Sequence, residues 1–177
     1  MMIRMNEVSI LKAGENDLKT IHDMAQVVFR QTYHEILSSQ QMEYMMEWMY
    51  SLPNLRNQLS DGHAYFIAYM DGTPCGYMSI QQEGFHEDVM VFHLHKLYVM
   101  SSMHGKGIGR LLFNQAQEYV SERFASSRIE LNVNRKNPAV HFYRHIGMRV
   151  LREGDFHIGE GFYMNDYIMG IDVLRQK

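Results

Sequence analysis

The segment His93–Arg110 carries the residues whose types and spacing are best suited to chemistry. Glycines stand at positions 105, 107 and 109, between a run with strand character and a helical pattern. Glycines let a backbone approach a ligand closely and expose successive N–H groups, and a helix N-terminus adds positive potential. The sequence therefore predicts a phosphate-binding turn here, to which Lys106 and Arg110 add positive charge.

The glycine spacing differs from that of two familiar phosphate motifs. A Walker loop needs G-x-x-x-x-G-K-S/T and a dinucleotide fold needs G-x-G-x-x-G, whereas this turn reads His104-Gly-Lys-Gly-Ile-Gly-Arg110. A plain flexible turn is the alternative interpretation. Three glycines at alternate positions, directly between a strand and an amphipathic helix, favour the phosphate site.

Candidate proton-transfer residues precede this turn. Side chains alternate along a strand, so His93, His95, Leu97 and Val99 are expected on one face. Histidine titrates near ~6.5, and either His93 or His95 could act as a base or anchor a water. Glu83 is a further candidate, and a hydrogen-bonded core histidine is the competing interpretation.

Two histidine pairs raise the question of a metal site. His141 and His145 have the i, i+4 spacing that places two ligands on one helix face. No acidic residue lies between them, and no third ligand stands nearby in sequence. The pair His93 and His95 is only a slightly stronger candidate for a metal site. The sequence predicts no metal.

The elements that must position these residues alternate between strands and helices. Strands are predicted at Val8–Leu11, His63–Met70, Cys75–Gln82, Val89–Met100 and Arg128–Val133, with two more over Gly147–Leu174. Helices are predicted from Asn16 or Asp17 to about Leu37, over Gln40–Tyr50, from Gly109, and from Pro138 to near Gly147. Pro53 is expected to break the second helix, Asp71–Gly72 to turn a hairpin, and the polar stretch Gln81–Asp88 to separate strands. This interleaving predicts an α/β or α+β fold with a mixed sheet.

Composition limits the class of protein. The 177 residues are 46% hydrophobic, which fits a single domain over residues 1–177. A formal net charge of −3 offers no field for a polyanion, so nucleic acid is not an expected partner. No stretch approaches the ~20 apolar residues of a transmembrane helix, so no membrane partner is expected.

Two further features favour a cytoplasmic location. Cys75 is the only cysteine, so no intramolecular disulfide can form. Met1–Ile10 mixes Arg4, Asn6 and Glu7 among its apolar residues and lacks the apolar core of a signal peptide.

The chain carries Leu97-Tyr-Val with His104–Arg110, and then Asn137–Tyr143, and these two motifs in this order resemble those of the GNAT superfamily of N-acetyltransferases. Leu97-Tyr-Val followed by His104–Arg110 is similar to its acetyl-CoA motif, Gln/Arg-x-x-Gly-x-Gly/Ala, with His104 at the first position and Gly107 and Gly109 at the small ones. Asn137-Pro-Ala-Val-His-Phe-Tyr143 is similar to the segment in which an Asn precedes a helix carrying a Tyr. The resemblance implies a mixed, mostly antiparallel seven-stranded sheet flanked by helices and splayed between the fourth and fifth strands.

The resemblance also implies an activity and its site. The protein would be an N-acetyltransferase that uses acetyl-CoA as co-substrate and passes the acetyl group to a primary amine by direct attack. The Val99 amide would stabilise negative charge on the thioester oxygen, and Tyr143 would protonate the leaving thiolate. Tyr143 as an ordinary core aromatic, and Arg144 as a solvated charge, are the competing interpretations. The implied cofactor contacts are Leu97, Tyr98, Val99, His104, Gly105, Lys106, Gly107, Ile108, Gly109, Arg110, Asn137, Tyr143 and Arg144.

The acceptor and the assembly stay open at the level of sequence. The initial helices and the closing strands, with Asp-Tyr-Ile-Met at 166–169, are similar to a small-amine and polyamine branch of that superfamily. A protein or peptide acetyltransferase and a non-catalytic acetyl-CoA sensor are the alternatives. An acidic pocket would favour a polycation, and a homodimer is expected through an aromatic and Met-rich surface. The acidic candidates are Glu35, Glu43, Glu47 and Asp61, and the surface candidates are Tyr163, Tyr167 and the second helix, which could equally complete the core.

Overall fold

A computed structural model describes residues 7–175, in which seven strands and five α-helices follow one another. The strands are β1 (Val8–Ala13), β2 (Ala64–Met70), β3 (Thr73–His86), β4 (Val89–Val99), β5 (Ser126–Asn134), β6 (Arg149–Gly159) and β7 (Phe162–Leu174). The helices are α1 (Leu18–Tyr33), α2 (Ser39–Tyr50), α3 (Leu52–Ser60), α4 (Ile108–Arg123) and α5 (Ala139–His145). The first six residues of the stretch Met1–Ile10 that argues against a signal peptide lie outside the described residues.

The seven strands form one sheet in the order β1-β2-β3-β4-β5-β7-β6. Every neighbouring pair is antiparallel except β4 and β5, which are parallel and pair only from Met90–His93 to Ser127–Glu130. Beyond that short ladder β4 runs on to Val99 and β5 to Asn134 without pairing to each other. The predicted fold class, including the splay between the fourth and fifth strands, is confirmed.

Helices cover both faces of the sheet. On one face α4 and α5 bury Leu112, Phe113 and Tyr143 against the inner strands, in what we call the α4 layer. On the other face α1, α2 and α3 bury residues such as Phe29 and Tyr50 in a second core, the α1 layer. Each helix turns an apolar stripe to the sheet, so the two layers follow from helical periodicity. No helix within residues 7–175 is long and apolar enough to cross a membrane.

The prediction that Pro53 only breaks the second helix is incomplete. Helix α2 does end at Tyr50, but Pro53 lies in the first turn of a new helix, α3. A proline is tolerated there because the first N–H groups of a helix have no intrahelical partner. Helix α3 then buries Leu55 completely in the α1 layer.

Two other element boundaries differ from the prediction by more than two residues. Helix α1 ends at Tyr33 rather than near Leu37, and a turn leads to Ser38, whose Oγ accepts a hydrogen bond from the Gln41 amide at the start of α2. The polar stretch Gln81–Asp88 is not a separator, since β3 continues through it to His86. An antiparallel strand can carry polar residues where one face meets solvent.

A β-bulge in β4 overturns the expectation that four of its residues share a face. Ser79 pairs with Lys96 and Ile80 with Leu94, so His95 is an extra residue. An extra residue shifts the alternation by one position. Leu97 and Val99 therefore pack toward the α4 layer with Leu94, whereas the rings of His93 and His95 lie together on the opposite face.

The suggested dimer surface is only partly exposed. Tyr163 is 53% exposed, but Tyr167 packs against the core of the α4 layer. Met42, Met45 and Met46 of α2 are buried in the α1 layer. Most of the Met-rich face therefore completes the core, and the homodimer stays a prediction.

Candidate functional site

A cleft of about 840 Å³ opens where β4 and β5 separate. Its walls are the unpaired end of β4, the glycine turn with the first residues of α4, the end of β5, the segment leading into α5, and the end of α1. Because β4 and β5 no longer pair here, their facing N–H and C=O groups need other partners. The fold thus provides a slot lined by hydrogen-bonding backbone.

Most of the residues predicted from the sequence line this cleft. Those present are Leu97, Tyr98, Val99, His104, Gly105, Gly107, Ile108, Gly109, Arg110, Asn137, Tyr143 and His95. Lys106, Arg144 and His93 are not among the lining residues, whereas His145 is. The Lys106 ammonium instead lies 3.7 Å from the Met103 sulfur.

The glycine turn places free amides at the start of α4. Gly105 and Gly107 have φ values of 76° and 77°, a backbone conformation that residues with side chains rarely adopt. Gly107 is the N-cap of α4, and its carbonyl accepts the Leu111 amide at 3.1 Å. The N–H groups of the three residues between them have no intrahelical partner, as in the first turn of any helix. Together with Arg110 they make an anion-binding end.

The side chain of His104 closes this turn onto the end of β4. Its Nε2 atom lies 2.9 Å from the Val99 carbonyl oxygen. The contact holds the turn beside the strand end. His104 therefore shapes the cleft wall through Val99, in addition to lining the cleft itself.

Asn137 links three elements of the site. Its Oδ1 accepts the Ala139 amide at 2.9 Å, which caps the start of α5, and its Nδ2 donates to the Tyr33 hydroxyl at 3.3 Å. The Tyr33 hydroxyl also lies 3.3 Å from that of Tyr98. Both polar groups of the Asn137 side chain are therefore used to fix α5, which carries Tyr143, against α1.

Tyr143 is buried, at 7% exposure, and faces the cleft from α5. Burial, and then the nearby Tyr33, raise the pKa of the Tyr143 phenol well above its usual value. A raised pKa keeps the hydroxyl protonated at neutral pH. Tyr143 can therefore donate a proton to a group in the cleft.

His95 lines the cleft in a stack of three histidines. Its ring centroid lies 4.3 Å from that of His63 and 4.5 Å from that of His93. Burial, followed by the positive charges of His93, His63 and Lys96, lowers the pKa of His95 to about 2. Its Nε2 lies 3.0 Å from the Gln81 Oε1, an acceptor, so Nε2 carries the hydrogen and Nδ1 has a free lone pair.

His93 does not line the cleft, although its ring contacts that of His95. Its Nδ1 lies 3.4 Å from a carboxylate oxygen of Glu83, the other residue predicted as a possible base. Burial lowers the pKa of His93, while the charge of Glu83 acts in the opposite direction. Of the two histidines, only His95 reaches the cleft.

Sequence reasoning missed three polar residues around the site. Tyr33 and Asn132 line the cleft from α1 and β5. Lys96 is only 3% exposed, and its Nζ donates to the Gln58 Oε1 and to the Tyr65 hydroxyl, each at 2.5 Å. A lysine or an asparagine inside a strand pattern gives no local signal of such a position, whereas Tyr33 follows the apolar stripe of α1 and could have been found from it.

Neither the metal pair nor the acidic candidates form a cluster. Within residues 7–175, no group of three or more His, Cys, Asp or Glu side chains could hold a metal ion, and His141 and His145 are exposed on α5. Of the four acidic candidates only Glu35 lines the cleft, while Glu43 forms an ion pair with Arg30.

Comparison with known proteins places this geometry in a family context. The model of the Acetyltransferase (GNAT) family matches residues 29–148. That range begins in α1 and contains the glycine turn, β5 and α5. It covers most of the cleft wall.

Three solved structures share the fold across almost the whole chain. The paiA N-acetyltransferase of Thermoplasma acidophilum, in complex with coenzyme A, is 24% identical with a TM-score of 0.74, and the match covers 93% of this chain and 98% of that one. The ribosomal-protein-S18-alanine N-acetyltransferase of Escherichia coli is 14% identical, with a TM-score of 0.69 and 97% coverage of both chains. Arabidopsis thaliana Naa50, in complex with the bisubstrate analogue CoA-Ac-MVNAL, is 18% identical, with a TM-score of 0.68 and coverage of 93% and 97%.

Proposed function

The chain belongs to the acetyltransferase (GNAT) family, and we propose that it transfers the acetyl group of acetyl-CoA to a primary amine of a small molecule by direct attack. The observation that carries this proposal is the cleft between the separated ends of β4 and β5. Tyr143 and the N-terminus of α4 both face this cleft. A proton donor and an anion-binding end thus meet in one slot.

The residues present fit acetyl-CoA. The free amides at the start of α4, with Arg110, suit the pyrophosphate, because a helix N-terminus stabilises negative charge. The unpaired edges of β4 and β5 offer backbone partners for the amides of the pantetheine arm. The bound thioester supplies the activated acetyl group.

Acetyl transfer requires three changes, each of which a group of the protein can assist. The acceptor nitrogen forms a bond to the acetyl carbon, the C–S bond breaks, and the nitrogen loses a proton. We assign the Val99 amide to the thioester oxygen, where negative charge develops, a contribution of about 10²–10³ in rate. We assign Tyr143, which keeps its proton at neutral pH, to protonation of the departing thiolate.

On the acceptor side we assign His95 rather than His93. His95 lines the cleft and presents the free lone pair of Nδ1. Because its pKa is about 2, it accepts a hydrogen bond from the amine but does not keep a proton. The proton leaves with water.

Contacts beyond the cleft favour a small acceptor over a peptide. Helix α2 begins just after the cleft-lining segment 34–36. Gln41 of α2 donates from Nε2 to the Tyr163 carbonyl at 2.8 Å, and the Tyr44 hydroxyl donates to the Ile158 carbonyl at 2.7 Å. These bonds tie α2 to the β6–β7 hairpin, and we infer that this contact leaves less room for a bound peptide than for a small amine. A polyamine is the acceptor class that we propose to test first.

The test measures thiol release from acetyl-CoA across four acceptors. They are spermidine, ethanolamine, a peptide beginning Met-Val-Asn-Ala-Leu and a peptide beginning with alanine. We expect turnover with spermidine or ethanolamine, and a ~10²–10⁴-fold lower kcat in Tyr143→Phe with unchanged acetyl-CoA affinity. Tyr163→Phe, which alters an exposed tyrosine, is the matched control and should keep full activity.

Each other result has a defined meaning. Turnover of a peptide alone would replace the small acceptor by a protein substrate. Acetyl-CoA binding without turnover of any acceptor would favour a sensor. Absence of acetyl-CoA binding would overturn the proposal as a whole.

A further inference from the structure

Asn132 and Asp166 form a polar pair at the edge of the cleft. Asn132, on β5, is exposed and lines the cleft, and its Nδ2 lies 3.3 Å from Oδ2 of Asp166 on β7. Asp166 is only 4% exposed. The pair therefore joins a buried carboxylate to the cleft through a single hydrogen bond.

Asn132 and His95 lie at equivalent positions on the two strands that separate. The last β4–β5 pair is His93 with Glu130, so His95 and Asn132 are each two residues beyond it. Ile129, Leu131 and Val133 pack in the α4 layer, which turns Asn132 to the opposite face, where the ring of His95 also lies. His95 and Asn132 therefore flank the gap at the point where the two strands part.

The buried carboxylate fixes the orientation of the Asn132 amide. An ionised carboxylate only accepts hydrogen bonds, so Asn132 must present Nδ2 to it. The Oδ1 of Asn132 is then directed away from Asp166, on the exposed side of the amide. Asn132 Oδ1 is therefore a hydrogen-bond acceptor in the cleft, and its direction is fixed by the hydrogen bond to Asp166.

Burial raises the pKa of the Asp166 carboxyl above its usual value, while the hydrogen bond from Asn132 and the charge of Arg135 favour the ionised form. Within residues 7–175, the Oδ1 of Asp166 has no hydrogen-bond partner. Arg135 is the nearby cation, but its guanidinium is paired with Asp155 at 2.6 Å and with Glu153 at 3.8 Å. A carboxylate buried in this way attracts a cation more strongly than one in water.

Resting on the proposed transfer to an amine, we propose that Asn132 Oδ1 binds the acceptor's ammonium group, and that Asp166 is the positioning residue that orients this amide and attracts the charge. The amine then lies between Asn132 and His95, which accept hydrogen bonds from opposite sides of the gap. Two hydrogen-bond acceptors and a nearby carboxylate favour binding of an ammonium group over an uncharged group. The site thereby selects cationic substrates as acceptors of the acetyl group.

The test measures the KM values of the wild type and three variants. The substrate is whichever of spermidine, ethanolamine and the Met-Val-Asn-Ala-Leu peptide the wild type turns over best. Asn132→Ala and Asp166→Asn should each raise the KM of the amine about 10- to 100-fold, since hydrogen bonds to charged groups are the strong ones. The KM of acetyl-CoA should not change. In the double variant Asn132→Ala/Asp166→Asn the rise in KM should be well below the product of the two single effects, because Asp166 acts largely through Asn132.

If Asp166 only supported the fold, Asp166→Asn would lower the Tm together with the activity, whereas the proposal predicts a different pattern. Asp166→Asn removes a buried charge without changing the shape, so its Tm should be equal to or above that of the wild type while the amine KM rises. Asp172→Asn, the same change on the same strand at a carboxylate paired with Arg128, is the control and should leave the amine KM unchanged.

The outcomes separate this inference from the proposed function. A wild type that turns over none of the amines contradicts the proposed function, and the inference with it. A wild type that is active while Asn132→Ala keeps its amine KM overturns the inference alone. Additive effects in the double variant would exclude the positioning role of Asp166.

Discussion

The ammonium nitrogen of Lys96 lies 2.5 Å from the hydroxyl oxygen of Tyr65, inside the layer between the sheet and helices α1 to α3. The same nitrogen lies 5.3 Å from the centre of the Tyr50 ring. Burial lowers the pKa of Lys96 to about 7. A lysine that is half neutral near physiological pH thus sits beside the histidine stack of the cleft and affects its charge.

Stability should depend on pH through Lys96. The folded-state pKa of about 7 is below the ordinary 10.5, so between these values the unfolded state binds the proton and the folded state does not. Stability therefore rises with pH from about 7, by up to about 1.4 kcal/mol per pH unit from this group. In Lys96→Met this rise should disappear, as measured by urea unfolding at pH 7 and pH 9. The exposed Lys12→Met should keep the wild-type rise, and the same rise in Lys96→Met would contradict the assignment.

The histidine stack should make the fold sensitive to acid. Burial lowers the pKa of His63 to about 4 and that of His95 to about 2, both below the ordinary 6.5. The unfolded state then binds more protons as the pH falls below 6.5, so stability is lost in that direction. His95→Gln, which keeps a donor for the Gln81 oxygen, should lose less stability between pH 6.5 and pH 4. Thermal unfolding at both pH values would show this, with the exposed His141→Gln expected to behave like the wild type.

The glycine turn allows a matched pair of substitutions. Gly107 and Gly72 have φ values of 77° and 79°, and a Cβ at either position would meet no atom within 4 Å. Alanine at each should therefore cost a similar backbone strain of about 1–2 kcal/mol. Only Gly107→Ala should weaken acetyl-CoA binding, by about 10-fold or more, because it caps α4 at the end that we assign to the pyrophosphate. Equal dissociation constants for the two variants, from calorimetry, would exclude a role of the turn in donor binding.

Asn137 should matter for catalysis through the placement of Tyr143. Asn137→Ala removes the cap on the Ala139 amide, which costs about 1 kcal/mol. It also releases α5 from Tyr33, and a small displacement of Tyr143 should lower kcat by about 10- to 100-fold. The control is Asn134→Ala, which loses a similar bond to the Lys136 amide. Comparable kcat values in the two variants, at comparable Tm, would contradict the positioning role.

Much of the fold was predictable because it depends on local patterns. Helix α4 and strand β5 follow from apolar periodicity, and the turn between β2 and β3 from Asp71-Gly72, where both residues have positive φ. The glycines of the glycine turn adopt positive φ at positions 105 and 107, as their residue type favours. Asn137 and Tyr143 stand in one short motif and reach the same cleft.

Other features depended on contacts that no local pattern records. Alternation along β4 predicts one face for His93, His95, Leu97 and Val99, yet the bulge at His95 moves the last two to the other face. The bulge arises from pairing with β3, and pairing is a property of two strands. Pro53 likewise permits both a helix end and a helix start, and packing of Leu55 in the α1 layer decides for a start.

The sequence by itself determined the glycine turn, the Asn cap and the Tyr on a helix that line the cleft, because these features depend on residue type and spacing. Only the tertiary structure decided their environment. Lys96 and His95 have lowered pKa values because distant segments exclude water from them. Asn132 is oriented by Asp166, which lies 34 residues further along the chain. Burial and charge are set by what packs around a group, and that information is spread over the whole chain.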